Sequence, residues 1–454
     1  MKKRILAAFL VTSMCMGLVA CSGSSSDSSG GSSSDGEITV SIAALNNPII
    51  SNLVELSQEY YEAEGVKLDF AVLPENDLRE KATLEASTGG TTYDIYFTGP
   101  YEANFWIQYG WAENLQPYID NMTDEQKESL DLDDIFPAML ESVSDPETGD
   151  LYALPFFGEA SFFMYNKELL ANAGVEMPEN PTWEDIYNIA VAVNDDEAGI
   201  VGMTMRGAPG WGMSGAPFVT IVNAMGGKFY DMDWNATVET DEQRAAWEMY
   251  KNILRDAGQD DIITYTYNEC ISLMNTGKCG IWYDATSNAP NLEAEDSPIK
   301  GKVGYAQSPA GWLWNWGMNI NPNSSDEKKQ AAFDFMVWAC SKDYVDLSLK
   351  EDPSGASTPS GIRASTYELD AYKDLPYAEP TLEALSNLDF NHPCKDEVPY
   401  VGLQYIAIPE FQEAGDTMTE ELAAYVTDEI SLDEALAATQ AAFEEAAEEG
   451  GYKE

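Results

Sequence analysis

The segments ITVSIAALNNP (Ile38–Pro48), VKLDFAVL (Val66–Leu73) and YDIYFTGPYE (Tyr93–Glu102) decide the fold. Ile38–Leu45, Val66–Leu73 and Tyr93–Thr98 are short runs rich in β-branched and aromatic residues, and Asn52–Glu64 and Asp77–Ser87 between them read as helices. Such strand–helix–strand alternation predicts a mainly parallel sheet flanked by helices, with ligands held in loops beyond the carboxyl ends of the strands. Asn46-Asn47-Pro48 and Gly99-Pro100-Tyr101-Glu102 are loops of this kind, so Asn47, Tyr101 and Glu102 are the first candidates for a site.

The alternation resumes after a loop region ending at Asp150. Leu151–Phe157, Ser161–Tyr165, Gly199–Met205 and Gly280–Tyr283 read as strands, and Ala216–Met225, Asp241–Ala257 and Asn268–Thr276 as helices. Thr182-Trp183-Glu184-Asp185 sets a capping hydroxyl three residues before an acid, which satisfies free amides at a helix start. Ser431 and Glu434 repeat the device before a stripe of Leu432, Leu436, Thr439, Phe443 and Ala446. Two α/β regions joined by irregular chain are expected.

Upstream, Lys2, Lys3 and Arg4 precede an apolar run from Ile5 to Val19, closing on Leu18-Val19-Ala20-Cys21. This is the pattern of a bacterial lipoprotein export signal, in which Met1–Ala20 is removed and Cys21 carries the lipid. Ser22–Gly36 is almost entirely Ser, Gly and Asp, a composition unable to bury enough apolar surface to order itself, and reads as a tether. The leader holds three of the 24 basic residues and none of the 78 acidic ones, so the processed chain carries 21 against 78, a formal charge of −57. A field of that sign repels nucleic acid phosphates and anionic lipid heads and favours neutral or cationic ligands. No later apolar run approaches the ~20 residues of a membrane span. Cys270, Cys279, Cys340 and Cys394 are too few and scattered for a disulfide framework, and the single histidine, His392, argues against a His-based metal site or a Ser-His-Asp triad.

Two motifs imitate cofactor sites. Gly210–Gly215 (GWGMSG) matches G-x-G-x-x-G, but Arg206, Pro209 and Trp211 crowd a turn where a pyrophosphate needs bare backbone; a glycine-rich loop that lets Arg206 and Trp211 face a cleft is the better reading. Asp231, Asp233, Asn235 and Glu242 have calcium-loop spacing, yet Ala236 stands where the sharp turn needs glycine, and a solvated turn is the simpler account. No cofactor or metal is expected, and no acid pair stands out as catalytic.

Sugars and polyols present C–H faces that stack on rings, and hydroxyls that donate and accept, so their sites combine Trp or Tyr with Asp, Glu, Asn and Arg. That combination recurs at strand ends and crossings: Tyr101-Glu102, Phe157-Gly158-Glu159, Arg206 with Trp211, Trp282-Tyr283-Asp284, Trp312-Leu313-Trp314-Asn315-Trp316, and Arg363. Packing explains any one of them, and the weight lies in the set.

The run Gly149–Pro155 (GDLYALP), Met164–Leu170 (MYNKELL), Ala173-Gly174-Val175 and Pro181–Glu184 (PTWE) resembles the extracellular solute-binding proteins of ABC importers, the family of maltose-binding protein. ENDLREKAT (Glu75–Thr83), YDIYFTGPYEANFW (Tyr93–Trp106), GKCGIWYDAT (Gly277–Thr286), NWGMNI (Asn315–Ile320) and VPYVGLQYIAIPEFQ (Val398–Gln412) are similar to its sorbitol/mannitol-binding branch. The resemblance implies a two-lobed α/β fold of the periplasmic-binding-protein type, with lobes at 37–150 plus about 285–345 and 151–284 plus about 346–454. It also implies a hinged cleft and delivery of an unaltered neutral sugar or polyol to membrane permease subunits; a monomer is expected, held at the outer face of the cytoplasmic membrane by the lipid on Cys21. Asn47, Tyr101 and Glu102 would form one lip, Glu159, Arg206 and Trp211 the other, with Asp284, Trp314, Trp316 and Arg363 completing the cleft. Asp284→Ala and Trp316→Ala are each expected to weaken binding with little loss of fold. A surface-anchored carbohydrate enzyme and a ligand sensor of the same fold are the alternatives.

Overall fold

Nine strands form two sheets in the computed structural model, which describes residues 38–352, 355 and 357–453. The export leader, Cys21 and the tether lie outside those residues. The strands are β1 (Thr39–Leu45), β2 (Lys67–Leu73), β3 (Ile95–Thr98), β4 (Leu154–Glu159), β5 (Ser161–Asn166), β6 (Val201–Thr204), β7 (Cys279–Ala285), β8 (Val303–Gln307) and β9 (Trp314–Ile320). The first sheet runs β2-β1-β3-β9-β4 and the second β6-β7-β5-β8.

Strand directions are more mixed than βαβ alternation predicts. β1 pairs in parallel with β2 and β3, and β6 with β7, whereas β9 runs antiparallel to β3 and β4, and β5 antiparallel to β7 and β8. The reason is the crossings. β4 belongs to the first sheet and β5 to the second, with only Ala160 between them, and Ser308–Leu313 carries the chain back from β8 to β9. These placements put β4 and β8 on the opposite side from the divisions at 151 and 285 expected from the sequence.

Both crossings are pinned by polar contacts. Ala160 exchanges hydrogen bonds with Thr286, its carbonyl accepting at 2.8 Å and its N–H donating to the hydroxyl at 3.2 Å. The Trp312 N–H donates to Ser161 Oγ at 3.0 Å, and Gln404 bonds both backbone groups of Leu313. One core gathers Ile42, Ile95, Phe97 and Met318 under the first sheet, and another gathers Phe163, Trp183, Trp247 and Tyr283 around the second. The capping pairs Thr182–Asp185 and Ser431–Glu434 form as expected, opening the helices Trp183–Val193 and Leu432–Glu449.

Candidate functional site

The turn after β3 builds one wall of the site. Gly99 precedes the helix Pro100–Tyr109, and its N–H donates to Glu102 Oε2 at 3.2 Å, which fixes the carboxylate under the first turn. Only glycine fits there, because a Cβ would lie 2.0 Å from a ring carbon of Trp314. Glu102 is buried and pairs with Arg79 of the helix Glu75–Ser87.

Arg79 occupies the centre of the site. Its Nε and Nη2 donate to Glu75 Oε1 at 3.2 and 3.0 Å, and its Cζ lies 4.9 Å from the ring centres of Trp314 and Trp316 and 5.7 Å from that of Trp211. Burial works against its charge, but Glu102 and Glu75 outweigh it and raise the pKa, so the guanidinium stays ionised. Arg79, Phe97, Thr98, Glu102, Trp106 and Trp316 border space too finely divided between side chains to hold a water molecule.

Two buried polar atoms here have no partner among the described residues: Trp106 Nε1, on the border of that space, and Tyr405 OH, whose ring abuts Trp211 and Trp314 at 6.1 Å. An unsatisfied buried donor costs about 1–3 kcal/mol, which a bound hydroxyl would relieve.

Tyr101 spans the gap from the first helix turn. Its ring packs on Trp211 at 4.8 Å and on Tyr405 at 5.7 Å, and its hydroxyl donates to the Pro409 carbonyl at 3.0 Å while accepting the Gln412 N–H at 3.1 Å.

A second guanidinium cluster lies deeper. Arg206 meets Asp284 through Nε at 3.0 Å and Nη2 at 2.5 Å, donates from Nη1 to the Gly212 carbonyl at 3.0 Å, and lies over the Trp312 ring at 5.2 Å. Burial opposes its charge, and the paired Asp284 reverses the effect, raising the pKa. Asp284 also accepts from Trp282 Nε1, the Ala285 N–H and Asn288 Nδ2, at 3.2, 2.8 and 3.0 Å. Its side chain is 0% exposed, so it holds Arg206 in place and has no free face for a solute. Its removal is therefore expected to cost folding stability, against the small loss expected from sequence.

Glu159, the last residue of β4, stands directly across from Trp314 of β9 and accepts from Ser287 Oγ. Among the described residues no cation lies within ion-pair distance of it. Desolvation pushes its carboxyl up to about 7, partly offset by Arg206 and Ser287 and reinforced by Asp284 and Glu75. A carboxyl raised above its unfolded value of 4.5 contributes stability that is complete below that value and is lost as pH rises through about 7. Glu159→Gln is thus expected to gain on the wild type between pH 5 and pH 8, by at most about 3 kcal/mol in urea unfolding, and a difference constant with pH would contradict this.

Six of the ten sequence candidates converge here: Tyr101, Glu102, Glu159, Trp211, Trp314 and Trp316. Arg206 and Asp284 stand behind them. Arg363 does not join them; it is 2% exposed, pairs with Asp134 at 3.2 Å, and donates to the carbonyls of Leu130 and Cys340 at 3.0 and 2.6 Å, tying distant loops together. Asn47 caps the helix Pro48–Glu64 by accepting the Ile50 N–H at 2.8 Å, and among the described residues no hydrogen bond links it to the rings.

Arg79 and Tyr405 were not among the candidates, and their one signal was to lie in stretches that resemble the polyol branch; Trp312 stood in the aromatic cluster at the second crossing but was not given a place in the cleft. The loop Gly210–Gly215 is consumed by contacts of its own, with Gly212 serving Arg206 and the Trp211 N–H reaching Asp416. Asp231 accepts from the N–H groups of Asp233 and Asn235, both at 2.9 Å, in a self-capped turn. The four described cysteines are free.

A mannitol-binding protein of Pseudomonas aeruginosa is 35% identical over 426 residues, 92% of this chain and 95% of that one. An erythritol/L-threitol-binding protein of Mycolicibacterium smegmatis is 25% identical, over 73% of this chain and 71% of its own length. The crystal structure of an ABC transporter solute-binding protein from Agrobacterium vitis, with bound D-mannitol, superimposes with a TM-score of 0.82 at 32% identity, covering 92% of this chain and all of that one. A maltose-bound protein of T. maritima shares the fold at a TM-score of 0.74 and 18% identity, over 89% of this chain and 99% of its own. These relatives are binding proteins and not enzymes. The family model for bacterial extracellular solute-binding proteins matches residues 45–346, and this two-lobed α/β chain belongs to that family.

Proposed function

We propose that this chain binds a hexitol of the mannitol or sorbitol type between its lobes and passes it, chemically unchanged, to an ABC importer. The observation that carries the reading is the cage itself: three indole rings converge on a charge-balanced guanidinium, beside two buried polar atoms without partners. Rings cover the C–H face of an alditol, while Arg79, Glu102 and Glu159 supply donors and acceptors for its hydroxyls. The likeness to a mannitol-binding protein and to a mannitol-bound structure supports the same ligand class. Binding requires Arg79 and the rings to part, and a solute that touches both lobes then stabilises the closed form by its added contacts. Cys21 would carry the lipid that holds the protein at the outer face of the cytoplasmic membrane, close to the permease.

Titration calorimetry with D-mannitol, D-sorbitol, ribitol, erythritol and maltose tests this. A hexitol should bind most tightly, and at a hundred times its dissociation constant it should add about 2.7 kcal/mol to the folded state. Failure of every alditol to bind would overturn the assignment. Loss of membrane retention in Cys21→Ala checks the anchor separately.

A further inference from the structure

Four carboxylates and two guanidiniums meet at this site, and the pairing is uneven. Asp284 is taken by Arg206 and Glu102 by Arg79, while Glu75 shares Arg79 from a more exposed position. Glu159 has Ser287 as its bonded partner and no cation within ion-pair distance among the described residues. It is the register partner of Trp314 across β4 and β9, so the two side chains leave the same face of the sheet as neighbours. That ring already faces one cation, the Arg79 guanidinium 4.9 Å away. Indole faces attract cations most strongly where water is excluded, and the chain's formal charge of −54 raises the local concentration of cations further.

Resting on the polyol reading, we propose that the same cleft takes amino alditols, hexitols in which one terminal hydroxyl is replaced by a protonated amine, with the ammonium seated between Glu159 and Trp314. The alditol chain keeps its place against the rings. The amine completes the charge balance that Glu159 lacks, a role no neutral hexitol can fill. The charged and titratable groups facing Glu159 are Arg206, Asp284 and Glu75; the first opposes the ammonium and the other two favour it.

The test is calorimetry with D-sorbitol, D-mannitol and their 1-amino-1-deoxy counterparts at pH 6 and pH 8. An aliphatic amine stays protonated at both values, whereas the Glu159 carboxyl, titrating at about 7, goes from mostly neutral to mostly ionised. At pH 8 the amine should bind at least as tightly as its parent hexitol. The affinity ratio of amine to hexitol should rise about tenfold from pH 6 to pH 8. In Glu159→Gln that ratio should fall about tenfold at pH 8 and lose its pH dependence. A hexitol preferred tenfold or more over its amine at pH 8, a ratio flat with pH in the wild type, or a ratio unaltered by the substitution would each overturn the proposal while leaving the polyol reading standing. Failure of both hexitols to bind at either pH removes the two together.

Discussion

Asp284→Ala should cost about 3–5 kcal/mol of folding stability, the largest effect expected of any single change at the site. The substitution leaves Arg206, with a side chain only 12% exposed, without its ion-pair partner, and it orphans three further donors at Trp282, Ala285 and Asn288. Removing one partner of a buried pair is costly because the remaining charge keeps its desolvation penalty and loses its attraction. Urea unfolding of Asp284→Ala, Arg206→Ala and the double variant measures this. The double variant should be less destabilised than the sum of the singles, since the second change removes the charge stranded by the first. Additive losses would mean that the 2.5 Å contact contributes nothing to the fold.

Trp314→Ala should weaken D-mannitol binding by about 2–4 kcal/mol, or roughly 30- to 1,000-fold, as expected of an aromatic residue at the centre of a desolvated contact. Trp314 is held from several sides: Arg79 lies over its ring at 4.9 Å, Trp211 and Trp316 approach it at 5.9 and 6.0 Å, and its benzene ring closes over Gly99. Trp314→Phe keeps a stacking face with less area and should fall between the alanine variant and wild type. Calorimetry on variants whose circular dichroism matches the wild type separates lost stacking from lost folding. Equal affinity in all three proteins would place the alditol elsewhere.

The fold was legible from sequence because its signals are local. Strand runs, helical stripes and capping pairs such as Thr182–Asp185 depend on neighbours a few residues apart, and all of them form. Strand direction was less legible, since the antiparallel pairing of β9 with β3 and β4 follows from where the chain crosses between sheets. The site was legible only in part. Trp211, Trp314 and Trp316 stood out as rings at strand ends and crossings, whereas Arg79 lies four residues after Glu75 on a helix and does make that ordinary i,i+4 ion pair. Its other role depends on how the helix Glu75–Ser87 is placed so that Arg79 reaches Trp314 and Trp316 of β9, which no local pattern records. Arg363 misled for the converse reason: its partners Leu130, Asp134 and Cys340 are far away in sequence, so a buried tie looked like a free guanidinium.

The Tyr101 hydroxyl, which donates to Pro409 and accepts from Gln412, bears on how long cargo stays aboard. Both bonds run from the helix beside β3 to the start of the helix Phe411–Val426, Pro409 just before it and Gln412 in its first turn, so parting these elements breaks both at once. Retention is then a matter of dwell time as much as of grip. Tyr101→Phe should speed escape of a trapped molecule several-fold in stopped-flow while changing its capture rate little, because most affinity differences among variants of one interface lie in the off-rate.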